Sequence, residues 1–113
     1  MAITQERLAS LIQRELAPIV NEYIKNDKIG YINLTEVRVS KDKSQAKVYY
    51  TILSDDEKIL EITINEINKH LSRIRMELAK KIKNIRKIPE LEFTYDEALS
   101  YGNHIDKLLK GLK

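Results

Sequence analysis

A chain of 113 residues has room for one domain with a single core. Hydrophobic residues at 42% and charged residues at 33% suit a globular chain with a busy surface, and no apolar run approaches the roughly 18–20 residues that cross a bilayer. The lack of cysteine excludes disulfides and thiolate zinc sites and points to a reducing cytoplasm, while a net charge of +3 and a pI near 9.0 are weak pointers to an anionic partner.

The opening "MAITQERLAS" carries a carboxylate and lacks the apolar block of a secretory signal. A helix is predicted from near Thr4, because Leu8, Leu11, Ile12, Leu16, Ile19, Val20, Tyr23 and Ile24 recur at three- and four-residue spacing. Pro18 removes a backbone donor inside it and is expected to bend or divide it. "NDKIG" ends it, with Gly30 suited to a left-handed turn position. The period then changes to two. Ile32, Leu34, Val37 and Val39 lead into "SKDKS", and Ala46, Val48, Tyr50 and Ile52 lead out, which predicts an antiparallel hairpin. The step from Leu34 to Val37 breaks strict alternation and predicts a bulge or a late strand start.

"SDDEK" opens a second helix, with Ser54 or Asp55 as its expected cap. The helical period persists through Ile64, Ile67, Leu71, Ile74, Leu78, Ile82 and Ile85, long enough to predict a break within it. Pro89 closes the region, and Leu91, Phe93 and Tyr95 alternate in a third strand. The tail "DEALSYGNHIDKLLKGLK" is expected to end in a short helix around Ile105, Leu108 and Leu109. Three strands and two packed helical elements predict an α+β domain with its helices on one face of the sheet. It forms a single unit over 1–113, with an ordered core from about 4 to 110.

The chemistry concentrates in "KHLSRIRMELAKKIKNIRK", Lys69 to Lys87, which holds eight Lys or Arg and one carboxylate, Glu77. That stretch sums to +7 against +3 for the whole chain, so everything else sums to −4. On a helix, Ile67, Leu71, Ile74, Leu78, Ile82 and Ile85 fall within an arc of about 80°. Lys69, Arg73, Lys80, Lys83 and Lys87 cluster opposite, with Arg75 and Arg86 on one flank. A face shaped only by solubility mixes signs, because Glu–Lys pairs four apart stabilise a helix and like charges repel. Here Lys69 and Arg73 stand four apart, as do Lys83 and Lys87, with no compensating acid. A long polyanion relieves that repulsion and releases counterions, which favours a binding face over a merely solvated one. A membrane surface is the weaker alternative, since the core needs the apolar stripe.

Catalytic signatures are missing. His70 and His104 are far apart and belong to no ligand-spaced cluster, and three glycines make no phosphate loop. Asp55, Asp56 and Glu57 suit a helix N-terminus without any catalytic role. Nothing pairs a nucleophile with a base, so neither an enzyme, a metal nor a cofactor is expected.

Three stretches carry a resemblance. "DKIGYINLTEVRVSKDKSQAKVY", "IRMELAKKIKNIRKIPELEFTYDEAL" and "GNHIDKLL" resemble the bacterial ribosome-binding factor A family. The matching positions are Asp27, Ile29 and Gly30, then Val39, Ser40, Asp42, Ser44, Ala46, Val48 and Tyr49. They continue with Ile74, Arg75 and Leu78, with Pro89, Glu90, Leu91, Phe93, Tyr95, Asp96, Ala98 and Leu99, and with Ile105, Asp106 and Leu109. The resemblance implies a single KH-like domain of the prokaryotic type, ordered helix–strand–strand–helix–kink–helix–strand. It implies a non-catalytic, cytoplasmic assembly factor that binds the free small (30S) ribosomal subunit and its 16S rRNA, aids late maturation of the rRNA 5′ end and matters most in the cold. A monomer is expected, with no small-molecule substrate and no membrane partner.

Family members bend the long helical region at an Ala-x-Gly motif. This chain carries His70 and Ser72 at those two positions, so a nearly straight helix is open to it and nucleotide clamping by glycine backbone is disfavoured. RNA contact is therefore expected on Lys69, Arg73, Arg75, Lys80, Lys81, Lys83, Arg86 and Lys87 and near the kink at His70 and Ser72. The competing reading is an adaptor whose basic helix meets an acidic protein. A ribonuclease would need convergent acid and base groups that the sequence does not offer.

Overall fold

The computed structural model describes residues 3–83 and 85–97, so the helix expected around Ile105 lies outside the described residues. Apolar spacing builds the first helix as expected: α1 spans Gln5–Tyr23 and buries Leu8, Ile12, Leu16, Ile19 and Val20. Thr4 caps it, the hydroxyl accepting from the Arg7 N–H at 3.1 Å. Pro18 does not divide it. Pro18 and Arg14 both lie on the exposed side, where water can take over the carbonyl left without a donor. After the helix, the Asn26 carbonyl accepts from the Ile29 and Gly30 N–H groups, and Gly30 takes φ +70°.

Strands β1 (Asn33–Val39) and β2 (Gln45–Thr51) form the expected antiparallel hairpin, with Val37 opposite Val48 and Val39 opposite Ala46. The register shifts between Leu34 and Glu36, which leaves Thr35 as the extra residue of a bulge. In the turn, Asp42 accepts from the Ser40 hydroxyl at 2.8 Å, the Ser44 hydroxyl at 2.7 Å and the Ser44 N–H at 3.1 Å. Those bonds, the Ser44 hydroxyl foremost, hold its carboxyl at about 2, below the ordinary 3.8.

Helix α2 spans Glu57–Lys81. Its cap is Asp56, not Ser54 or Asp55: the Asp56 carboxylate accepts from the Lys58 N–H at 2.8 Å, and Ser54 supports it by accepting from the Asp56 N–H. The expected break at His70 and Ser72 does not interrupt it. No glycine or proline stands between Glu57 and Lys81, and buried Thr63, Ile67, Ile74 and Leu78 line one continuous face. The helix also ends earlier than its apolar period. Ile82 caps it in extended conformation, and Ile82 and Ile88 are buried from the connector, so their spacing reflects core burial without helix.

Strand β3 (Glu90–Tyr95) runs parallel to β2, with Leu91 beside Ala46 and Phe93 beside Val48, in the order β1-β2-β3. α2 is the crossover that a parallel neighbour requires. One apolar cluster joins α1, α2 and the inner face of the sheet, while Glu36, Arg38, Lys47 and Glu92 cover the outer face. Helices on one face are therefore observed, as expected.

Side-chain amides of α1 complete the β1 side. Gln5 and Gln13 donate to the Val39 and Leu34 carbonyls, each at 3.0 Å. Asn21 donates to the Ile32 carbonyl at 2.9 Å and accepts from the Ile32 N–H at 2.8 Å. These three groups satisfy main-chain atoms that no neighbouring strand covers.

Candidate nucleic-acid interface

The eight cations from Lys69 to Lys87 are not one uniform stripe; the fold sends them in different directions. Ile67, Ile74 and Leu78 fix the buried side of α2. Lys69, Arg73, Met76 and Lys80 then fall opposite them, within an arc of about 60°. All four are exposed. This outward ridge keeps three of the five cations expected on one helix face; Lys83 and Lys87 fall beyond the end of α2, because the chain leaves the helix at Ile82. Lys80 has the one nearby acid, Glu77, at 3.2 Å in an exposed pair worth little. Among the described residues, Lys69 and Arg73 have no ion-pair partner.

Arg75 behaves differently. Its side chain is only 28% exposed, and its Nη2 donates to the Ile88 carbonyl at 2.8 Å. Nε reaches the Pro89 carbonyl at 3.4 Å, and Glu90 lies 3.7 Å away. The guanidinium thus staples α2 to the chain entering β3, using the planar fork that Lys lacks. Because Arg75 stands six residues before the end of α2, the connector must double back by about 9 Å along that flank. Lys83, Arg86 and Lys87 ride on this returning segment and are exposed.

Lys81 turns the other way, toward α1. It lines a cleft of about 620 Å³ together with Glu15, Pro18, Ile19, Glu22 and Tyr23 of α1 and Glu77 of α2. The three carboxylates there pair with Arg14, Lys25 and Lys80, so among the described residues Lys81 shares the cleft without an ion pair and lies away from the ridge. His70 also faces α1: its Nε2 lies 3.6 Å from Glu66, and its ring is 6.1 Å from that of Tyr23. Ser72 is exposed on α2. Both sit inside continuous helix, where backbone amides are engaged, so no glycine-type backbone clamp for phosphate exists at these two positions.

Of the eight predicted positions, the structure brings Lys69, Arg73 and Lys80 onto one ridge and Lys83, Arg86 and Lys87 onto the adjoining connector. Arg75 is held by protein acceptors, and Lys81 lies on the side of α2 that faces α1. Sequence reasoning passed over Met76, an apolar residue at the centre of a polar face; that placement was its only signal. Among the described residues no group of His, Asp and Glu gathers in a metal-holding arrangement, and no helix is long and apolar enough to cross a membrane.

Fold and site together define a class: a small KH-like α+β domain that presents a cationic helix face. The family is narrower than the class. Residues 4–109 match the family model of ribosome-binding factor A. The chain is 57% identical over 112 residues to ribosome-binding factor A of Phytoplasma mali, covering 99% of this chain and 98% of that one. It is 36% identical over 110 residues to the same factor from Staphylococcus epidermidis, covering 97% and 93%. The chain belongs to the ribosome-binding factor A family. The crystal structure of ribosome-binding factor A from Thermus thermophilus shares the fold, with a TM-score of 0.71, 23% identity and coverage of 84% and 98%. A homology model of the Thermus thermophilus factor, fitted into a cryo-EM map of its complex with 30S, matches with a TM-score of 0.66 at 25% identity and covers 79% and 91%.

Proposed function

We propose that this protein binds the free small ribosomal subunit through its 16S rRNA, with Lys69, Arg73, Lys80, Lys83, Arg86 and Lys87 supplying the contact. It acts without catalysis, as a cytoplasmic monomer that assists late maturation of the rRNA 5′ end and matters most in the cold. Family membership and the relative fitted into a 30S complex support the choice of partner. The observation that carries the site is the outward ridge of α2, where Lys69 and Arg73 stand four residues apart on exposed helix and neither forms an ion pair among the described residues. Each rRNA phosphate seated there would relieve repulsion and release counterions.

Co-sedimentation with free small subunits tests the reading. Wild type should pellet with subunits, lose binding after nuclease digestion of the rRNA, and weaken steeply with salt. A variant carrying Arg73→Gln, Lys80→Gln, Lys83→Gln and Lys87→Gln should bind more weakly with a shallower salt dependence. Binding that survives nuclease would instead favour an acidic protein as the partner. Equal binding by the folded variant would move the contact elsewhere on the domain.

A further inference from the structure

We propose that the outer face of α2 seats an unpaired RNA base on Met76, with the adjoining phosphates held by the cations on either side; this rests on the rRNA-binding reading and narrows it to single-stranded RNA. Three large hydrophobic side chains are exposed among the described residues, Tyr31, Leu53 and Met76. Only Met76, 59% exposed, lies within the cationic surface, at its centre. Exposed Ser72 and Ala79, four residues before it and three after, adjoin it on the helix surface. They lie on the flank toward Arg75, so an uncharged strip of small and soft side chains follows the ridge.

Cations bound this strip on both sides. Lys69, Arg73 and Lys80 stand along one margin. The other is the flank on which Arg75 holds Ile88 and Pro89, and the exposed Arg86 and Lys87 immediately precede them in the connector. Arg73 and Lys80 are seven residues apart, about 10 Å along the axis, with Met76 between them.

A duplex backbone offers phosphate and sugar to such a surface and leaves the thioether uncovered. An unpaired base offers a flat, polarisable face, and Met sulfur packs well against aromatic rings. The small side chains of Ser72 and Ala79 leave room beside Met76 for that ring, where Lys or Leu would fill the space. Contact through a base face is tolerant of sequence, as expected for a strip with few hydrogen-bonding groups.

The test uses the full chain and fluorescence anisotropy with a labelled single-stranded RNA of about twelve nucleotides and the duplex of the same sequence, across a salt series. Wild type should prefer the single strand. Met76→Ala should weaken single-strand binding about two- to tenfold at unchanged salt slope, leave duplex binding alone, and be largely rescued by Met76→Leu. The inference is overturned if Met76→Ala binds the single strand like wild type, or if it loses affinity for both forms equally. Arg73→Gln/Lys80→Gln separates the two levels. Loss in that variant with none in Met76→Ala sinks the base seat alone, whereas no loss in either sinks the cationic-face reading with it. Unchanged thermal melting of Met76→Ala, expected for an exposed side chain, keeps the comparison interpretable.

Discussion

The two halves of α2 share one core-facing stripe and carry opposite charge. Within α2, residues 57–68 sum to −2 and 69–81 to +4; with the flanking residues included, 55–68 sum to −4 and 69–87 to +7, so the remainder of the chain is neutral against a total of +3. Packing does not distinguish them: Thr63 and Ile67 are buried in the first half, Ile74 and Leu78 in the second. The helix dipole accounts for part of the difference, favouring Asp56 and Glu57 at the start and Lys80 and Lys81 at the end. Its influence fades within a turn, and Lys69 lies twelve residues, about 18 Å, from the C-terminus. Lys69 and Arg73 are thus explained neither by core nor by dipole. Their sign is what the proposed rRNA contact would account for.

The largest effect expected tests the shared half of this comparison. Ile67→Ala and Ile74→Ala should each cost about 3 kcal/mol in urea unfolding, because both are fully buried. A loss under about 1 kcal/mol at either site would show that the halves do not share one core. Next comes the odd member of the basic half. Arg75→Gln should cost about 2 kcal/mol by removing a charged donor from two carbonyls, while Arg73→Gln should stay within about 0.5 kcal/mol. Equal costs would erase the distinction between staple and ridge. Smaller again, Glu77→Gln should change stability by less than about 0.5 kcal/mol, given its exposed pair with Lys80. It should tighten subunit binding at low salt by removing the only acid of the stretch.

The smallest effect lies outside α2 and separates a turn's charge from a helix's. Asp42 is held at about 2 in the folded chain, so its ionised form stabilises the hairpin above about pH 4. That contribution should fade as pH falls from about 4 toward 2, and Asp42→Asn should flatten the acid limb of the stability profile. An unchanged limb would assign acid sensitivity to other carboxylates.

Much of this was legible from residue spacing. Alternation revealed all three strands, its break between Leu34 and Val37 marked the place of the bulge as one of two options, and the start of α1 near Thr4 followed from the apolar stripe. Three features were not legible, each for a physical reason. The period of α2 ran on to Ile85 because buried connector residues imitate helical spacing. The carboxamides Gln5, Gln13 and Asn21 sit eight residues apart beside the stripe, yet their targets are backbone atoms on another element, which no local pattern encodes. Arg75 looked like its neighbours, since only the tertiary return of Ile88 and Pro89 gives it protein acceptors. In the candidate site, the total charge is a matter of counting, whereas the direction each cation takes depends on tertiary structure.

The most direct test is the slope of subunit affinity against salt, on logarithmic axes, for matched variants of the two halves. Arg73→Gln, Lys80→Gln, Lys83→Gln and Lys87→Gln together should lower the slope by about 3, near 0.7–0.9 per lost phosphate contact. Asp55→Asn, Glu57→Gln, Glu61→Gln and Glu66→Gln together should leave the slope as it is, because no phosphate contact is lost. If both folded variants keep the wild-type slope, the second half of α2 is only a solvated surface and the contact with rRNA lies elsewhere.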